Sequence, residues 1–312
     1  MESGKNKKVS DNIIQNGIAQ IDVKTFICAF LVLLTALLLP YAVRVFDVII
    51  LIIKGVSSSE KRGSYTFNEL LTQDFNQPMN LAYIMLANYT LYVLIFGIWY
   101  YKHLQHRDSS YDKSQCKRHI GTQLKKLFAS PVAYLLIITG IAGQFLIDSV
   151  LNLCHSFFPK AFEEYDAMVS GVVGPTSSAP MFIAVLILAP IGEELLFRGL
   201  FQGKIADSVK DYPMSMVLIL QALCFGLYHG NIIQGIYAFA LGLVLGYVAY
   251  KACGIIPCII LHMALNSSVL LVKHEYFSST LTCVVIGIIA AMIFSAGTIY
   301  SIKLLNPIQD EA

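Results

Sequence analysis

The feature that most constrains the fold is a series of long apolar runs with few charged residues. The first, from Thr25 to Val43, contains no charge, and the others lie near 80–101, 131–153, 179–202, 213–230, 232–250, 254–273 and 280–302. A helix needs about 17–25 apolar residues to cross the hydrocarbon core of a bilayer. Only 13% of the residues are charged, whereas soluble domains carry roughly a quarter. The sequence therefore excludes a soluble globular protein and predicts an all-α, polytopic membrane helix bundle with about eight transmembrane helices.

The distribution of charge between the runs predicts an orientation. The connection after the second run carries seven cations against two acids: Lys102, Arg107, Lys113, Lys117, Arg118, Lys125 and Lys126 against Asp108 and Asp112. Cytoplasmic loops are enriched in Lys and Arg, so we expect this connection and both termini to be cytoplasmic. The acidic residues Glu163, Glu164 and Asp166 then fall on the opposite side.

A single transmembrane domain accounts for nearly the whole chain. We predict a polar cytoplasmic segment over 1–24, a membrane domain over 25–303 and a tail over 304–312, with longer loops only near 55–79, 103–128 and 155–178. The first run is too long for the apolar part of a signal peptide and reads as a retained helix. The protein is expected to be integral and multi-pass, in the plasma membrane if it is bacterial, with the lipid bilayer as partner and no nucleic-acid binding. Most of its cysteines lie in apolar runs without a metal or redox motif.

Charged residues concentrate where the fourth run ends. Glu194 and Arg198 are four residues apart, on one face of a helix, so they can neutralise each other. Glu193 points about 100° away and has no partner nearby in sequence. An unpaired carboxylate in an apolar setting suits a general acid or base. A salt bridge that only holds the bundle together is the competing interpretation.

Two further polar sites follow on separate runs. Phe225 and His229 share a helix face in the fifth run, and His262 and Asn266 lie one turn apart in the seventh. Each site alone is also typical of packing or of a hydrogen-bonded clamp between membrane helices.

Together the three sites contain the groups that activate water and stabilise an oxyanion: a carboxylate, two imidazoles and a carboxamide. Glu193, His229 and His262 also match the composition of a hydrolytic His₂Glu zinc site. No His-Glu-x-x-His helix is present, and no Gly-x-Ser-x-Gly motif supports serine catalysis. The residues alone leave glutamate and zinc chemistry open.

The three motifs, Glu193-Glu194-x-x-x-Arg198, Phe225-x-x-x-His229 and His262-x-x-x-Asn266, resemble those of the CPBP intramembrane proteases. This family includes the CAAX prenyl endopeptidases and bacterial proteins linked to bacteriocin processing or self-immunity. The resemblance covers roughly residues 179–270 and places a protease-like core there.

The resemblance implies a membrane endopeptidase whose site opens toward the cytosol. Glu193 would be the general base, His229 would help to position the water, and His262 and Asn266 would stabilise the oxyanion. Glu194 and Arg198 would support this arrangement, as would Phe225 from the second motif. The substrate would be a membrane-associated or lipid-modified peptide or protein, and no cofactor is favoured, although a zinc version stays open.

The depth of His229 is a difficulty for this interpretation. Counted along straight helices at ~1.5 Å per residue, His229 lies about 24 Å from the cytoplasmic end, against roughly 12–15 Å for Glu193 and His262. We therefore expect the fifth run to be tilted, to lie partly along the interface, or to be broken at Gly226 or Gly230, with His229 within ~7 Å of Glu193.

Two other functions remain possible from the sequence. One is a non-catalytic immunity or peptide-binding protein of the same fold. The other is an ion-coupled transporter that uses Glu193 and Glu194 as proton or ion sites.

Overall fold

Helices make up all the regular structure that the computed structural model describes, which covers residues 21–58, 78–106, 127, 130–155, 157–174, 177–209 and 212–305. In chain order the helices of this part are α1 (Val23–Ser58), α2 (Pro78–His106), α3 (Val132–His155), α4 (Pro159–Val173), α5 (Ala179–Ser208), α6 (Met214–Tyr228), α7 (Ile232–Ala252), α8 (Ile256–Ser268) and α9 (Thr280–Leu305). The predicted all-α bundle is confirmed. Most of the predicted N-terminal segment, most of the basic connection and most of the C-terminal tail lie outside the described residues.

Six helices are long and apolar enough to cross a membrane: α1 over Val23–Ile50, α2 over Asn80–Leu104, and α3, α5, α7 and α9. The fifth and seventh runs form shorter apolar helices, α6 with 15 residues and α8 with 13. Fifteen helical residues extend roughly 22 Å, less than the ~30 Å of a hydrocarbon core. The protein is thus an integral membrane protein, while the total of eight spans and the side on which the termini lie stay predictions.

The connection over 155–178, which we expected to be a loop, contains the helix α4. Pro159 occupies its first turn, where a missing N–H costs nothing. The buried Phe162 lies on one face, whereas Glu163 and Glu164 are exposed. The hydropathy of the sequence misses this helix because it is amphipathic and carries charge, so it does not resemble a span.

The central helix α5 departs from regular α-helical geometry in two π-helical stretches, Ile183–Leu188 and Leu195–Phe201. In the first stretch the N–H of Ala189 bonds five residues back, and Pro190 has no N–H to offer. The carbonyl of Val185 is thereby left without a donor from either residue. The side chain of Asn266 on α8 donates to this oxygen through Nδ2 at 3.2 Å. A side chain thus satisfies a carbonyl that has no backbone donor, as a helix within a bilayer requires.

Small residues allow the helices to approach closely, as is usual in membrane bundles. A Cβ atom at Gly140 on α3 would lie 2.5 Å from the carbonyl oxygen of Leu261 on α8. A Cβ at Gly226 would lie 2.7 Å from the carbonyl oxygen of Gly235, where α6 turns back into α7. Gly230 in that turn has a φ of 68°, a conformation that favours glycine.

The contact between α3 and α8 provides a test of this packing. Gly140→Ala forces the α8 backbone away, so we expect the free energy of unfolding to fall by about 1–3 kcal/mol. Gly171→Ala on α4 is the matched control, because no atom lies within 4 Å of its Cβ position. Thermal unfolding of both variants in one detergent measures the difference. Equal melting temperatures for the two variants would contradict the packing described.

Candidate active site

One cavity of about 1160 Å³ contains the side chains that the sequence singled out as catalytic. Glu193 enters it from α5, His229 from the end of α6, and His262 and Asn266 from α8. Phe225 also lines it, whereas Glu194 and Arg198 do not. The three motifs therefore meet in space, with one acidic residue of the Glu-Glu pair inside the cavity and the other behind its wall.

The predicted ion pair between Glu194 and Arg198 is present and fully buried. Arg198 Nη1 donates to Glu194 Oε1 at 2.8 Å, and both side chains have 0% exposure. The same oxygen lies 2.8 Å from His262 Nδ1. Because a carboxylate only accepts hydrogen bonds, Nδ1 carries a proton and His262 donates to Glu194. This bond fixes the ring of His262 and turns Nε2 away from Glu194.

Glu193 faces the other side of the same imidazole. Its Oε2 lies 3.8 Å from His262 Nε2, a distance too long for a direct hydrogen bond. Both side chains are nearly inaccessible, at 5% for Glu193 and 3% for His262. His262 thus lies between two carboxylates, in direct contact with one and separated from the other by a gap at the floor of the cavity.

Phe225 connects the second motif to the other two. The guanidinium carbon of Arg198 lies 4.2 Å from the centre of its ring, in a cation–π contact. Both imidazoles lie nearly perpendicular to the same ring, with centroids 4.8 Å away for His229 and 6.0 Å away for His262. The Phe225 carbonyl accepts a hydrogen bond from Nδ1 of His229 at 2.8 Å, which leaves His229 Nε2 for another partner.

The structure brings His229 to the cavity of Glu193 and His262 despite the difference in counted depth. His229 follows α6 directly, before the turn at Gly230, and lines the same cavity as Glu193 and His262. The fifth run is therefore broken at Gly230, one of the two glycines at which we expected a break. A separation of ~7 Å between His229 and Glu193 stays a prediction.

Other polar residues in the cavity were not singled out from the sequence. Asp148 on α3 lines it and accepts a hydrogen bond from Gln144 Nε2 at 2.8 Å. Asp148 is the one acidic residue of its apolar run, so the rule that flagged Glu193 also applied to it. Tyr89 on α2 lines the cavity as well, and nothing in an apolar run distinguishes such a tyrosine.

A metal site is not formed by the described residues. They contain no group of three His, Cys, Asp or Glu side chains arranged to hold a metal ion. Of the expected zinc ligands, His262 already uses Nδ1 for Glu194, and Glu193 and His229 complete no such group with it.

The order and spacing of these residues match a known family model. Residues 175–268 match the Rce1-like type II CAAX prenyl endopeptidases. The Rce1-like segment includes all three motifs and covers less than a third of the chain. No curated protein and no solved structure matched the chain.

The match confirms the family resemblance seen in the motifs. The match supports the interpretation that the chain is an intramembrane peptidase. It lends no support to bacteriocin immunity. The Rce1-like segment begins just before α5 and ends with α8, so it contains the helices that contribute Glu193, His229 and His262.

The buried ion pair provides a second test. Glu194→Gln leaves Arg198 and His262 without their shared anion, so we expect the free energy of unfolding to fall by about 3–5 kcal/mol. Glu164→Gln, on the exposed face of α4, should change it by less than about 0.5 kcal/mol. Thermal unfolding of both variants in the same detergent gives the comparison. A Glu194→Gln protein as stable as Glu164→Gln would show that the pair contributes nothing.

Proposed function

We propose that the protein is an intramembrane endopeptidase that hydrolyses a peptide bond in a membrane-associated peptide or protein, with Glu193 as general base. The observation that carries this proposal is the meeting of Glu193 and His262 at the floor of one cavity, 3.8 Å apart. The two atoms are too far apart to bond each other directly and both side chains line the cavity, and the family match supports peptidase chemistry.

In the proposed reaction, Glu193 takes a proton from water as the water oxygen bonds to the carbonyl carbon of the substrate. His229 Nε2, free because Nδ1 donates to Phe225, accepts a hydrogen bond from the same water and orients it. The tetrahedral intermediate then collapses, the C–N bond breaks, and the proton on Glu193 passes to the leaving amine.

The negative charge on the substrate oxygen needs donors in a site that excludes water. His262 supplies Nε2–H when its ring is protonated, and Glu194 stabilises that cation through Nδ1. Asn266 supplies the second hydrogen of its amide, because the first is bonded to Val185. We assign the oxyanion to these two donors.

Charge balance supports the same assignment. Glu193 and Glu194 carry two negative charges, and Arg198 alone neutralises one of them. A protonated His262 neutralises the other, so that the buried group has no net charge, as burial requires. Glu194 and Arg198 act through His262 and are positioning residues.

Loss of the base is the direct test. Glu193→Gln keeps the side-chain volume and removes proton transfer, so we expect proteolysis to fall by about 10²–10⁴-fold at normal protein abundance. The measurement compares peptides and protein C-termini in membranes of cells that express wild type, Glu193→Gln or the control Glu164→Gln. Products common to wild type and the control, and absent with Glu193→Gln, would support the proposal and reveal the substrate.

Identical profiles for all three, in cells that make the natural partner, would contradict the peptidase proposal. Retained capture of a partner by Glu193→Gln would then favour a non-catalytic binding protein. Glu193-dependent ion flux across sealed vesicles would favour a transporter.

Metal content separates glutamate from zinc chemistry. We expect detergent-purified, active protein to contain much less than one zinc per chain and to keep its activity after treatment with a chelator. One zinc per chain, lost in both Glu193→Gln and His262→Ala, would overturn the glutamate mechanism.

A further inference from the structure

The cavity occupies one half of the bundle. Its lining residues come from the second half of α3 (144–155), the end of α6 (225–229), the first half of α7 (234–241) and the second half of α8 with the turn after it (262–269). These segments all lie toward the end of the bundle at which α3 connects to α4. We call this the open end.

At the open end the cavity reaches the surface beneath α4. His155 and Asp166 both line the cavity, form a 3.0 Å contact, and are about half exposed, at 48% and 54%. On the same face of α4, Phe162, Tyr165 and Val169 line the cavity. The cavity therefore runs from an exposed rim at α4 to the buried floor at Glu193.

The opposite end of the bundle, which we call the packed end, is filled by apolar side chains. It includes the start of α1 and the end of α5, since the N–H of Asp22 bonds the carbonyl of Ser208 at 2.8 Å. A buried cluster fills the space between these elements and α6: Ala29, Phe201, Ile205, Ala206, Val209 and Val217. A second cluster joins α3, α7, α8 and α9, with Val132, Leu245, Val248 and Leu261 each exposed by 1% or less. The lining residues of the cavity do not extend to this end.

Lysines concentrate at the packed end. Five of the described helices carry one there: Lys24, Lys102, Lys204, Lys251 and Lys303. The sequence between α2 and α3, which joins two helix ends at this end, adds Arg107, Lys113, Lys117, Arg118, Lys125 and Lys126. At the open end the described cations are Arg44, Lys54, Lys160 and Lys273, beside Glu163, Glu164, Asp166 and Glu275. The sequence between α1 and α2, which joins two helix ends at this end, adds only the cations Lys61 and Arg62. The excess of cations marks the packed end as cytoplasmic.

From these two observations we infer that the cavity opens on the face of the membrane opposite the cytoplasm, so that its substrate is a peptide segment presented from that face. This inference rests on the proposed peptidase function and names its substrate class. It departs from the opening toward the cytosol that the family resemblance implies, because the cavity and the lysines lie at opposite ends of the bundle.

The charge of the cavity narrows the substrate further. Asp148, Asp166 and Glu193 line it, and its described lining contains no Lys or Arg. A free C-terminal carboxylate meets the acidic residues of this wall, whereas an uncharged or cationic peptide segment meets a complementary one. The substrate is therefore cleaved within an internal or basic segment.

Cys253 at the packed end bears on the same question. It is disulfide-bonded, and disulfides are commoner outside the cytoplasm than inside it. We give the lysines more weight than this disulfide in the orientation, because five separate helices each carry a lysine at the packed end. The same experiment tests both observations.

Thiol labelling tests the inference directly. Three single cysteines are introduced into protein whose seven native cysteines are replaced: Val169→Cys on the cavity face of α4, its neighbour Ser170→Cys on the exposed face, and Lys303→Cys at the packed end. The probe is a membrane-impermeant trimethylammonium methanethiosulfonate, applied to sealed cells. We expect both α4 cysteines to react in sealed cells and Lys303→Cys to react only after permeabilisation.

The opposite pattern, with Lys303→Cys reactive in sealed cells and Val169→Cys only after permeabilisation, would overturn the inference. Reaction at Ser170→Cys without reaction at Val169→Cys in the folded protein would also overturn it, because the cavity would then be closed. Labelling after denaturation confirms that each cysteine is present.

Two additions sharpen the result. A cysteine at Leu151, which also lines the cavity, should react roughly tenfold faster with the cationic reagent than with a sulfonate analogue, and this preference should be smaller at Ser170→Cys. Equal preference at both positions would contradict the acidic wall. Repeating the labelling with Glu193→Gln separates the two proposals, since access does not depend on catalysis. The expected labelling of both proteins, with no proteolysis by wild type, would leave the access route intact and refute only the peptidase function.

Discussion

The arrangement of the site depends on one buried carboxylate. Glu194 accepts hydrogen bonds from Arg198 and His262 through the same oxygen, with no exposure to water. Each of these charged groups is costly in a bilayer, so removing any one leaves the others uncompensated. The helices that carry them, α5 and α8, are held in register by this requirement, and Arg198 extends it to α6 through the ring of Phe225.

A second constraint comes from the backbone of α5. Pro190 and the π-helical stretch before it leave the carbonyl of Val185 without a backbone donor, and Asn266 supplies one. Asn266 is therefore tied to the fold by one amide hydrogen and has the other free. The two ring nitrogens of His262 likewise have different neighbours: Nδ1 is bonded to Glu194, and Nε2 is turned toward Glu193. The groups assigned to the oxyanion are thus positioned by bonds that do not involve the substrate.

The sequence predicted those parts of the site that depend on local spacing. A separation of four residues is enough to predict the Glu194–Arg198 pair and the shared faces of the other two motifs. It did not predict α4, because an amphipathic helix with three acids resembles a loop in hydropathy. Hydropathy also does not distinguish a run that crosses the membrane from a shorter apolar helix such as α6 or α8. The meeting of Phe225 with both imidazoles depends on three helices and has no signal in any one of them.

The two adjacent acids of the first motif explain how chemistry and support are kept apart. On a helix, neighbours differ by about 100° in direction, so Glu193 and Glu194 cannot face the same environment. Glu193 lines the cavity, whereas Glu194 lies behind its wall, and His262 approaches both. The proposed base and the residue that holds the imidazole are therefore fixed relative to each other by the backbone of α5. In a motif with one acid, a single carboxylate would have to transfer the proton and also hold His262 and Arg198. A carboxylate buried deeply enough to hold them would be out of reach of the substrate.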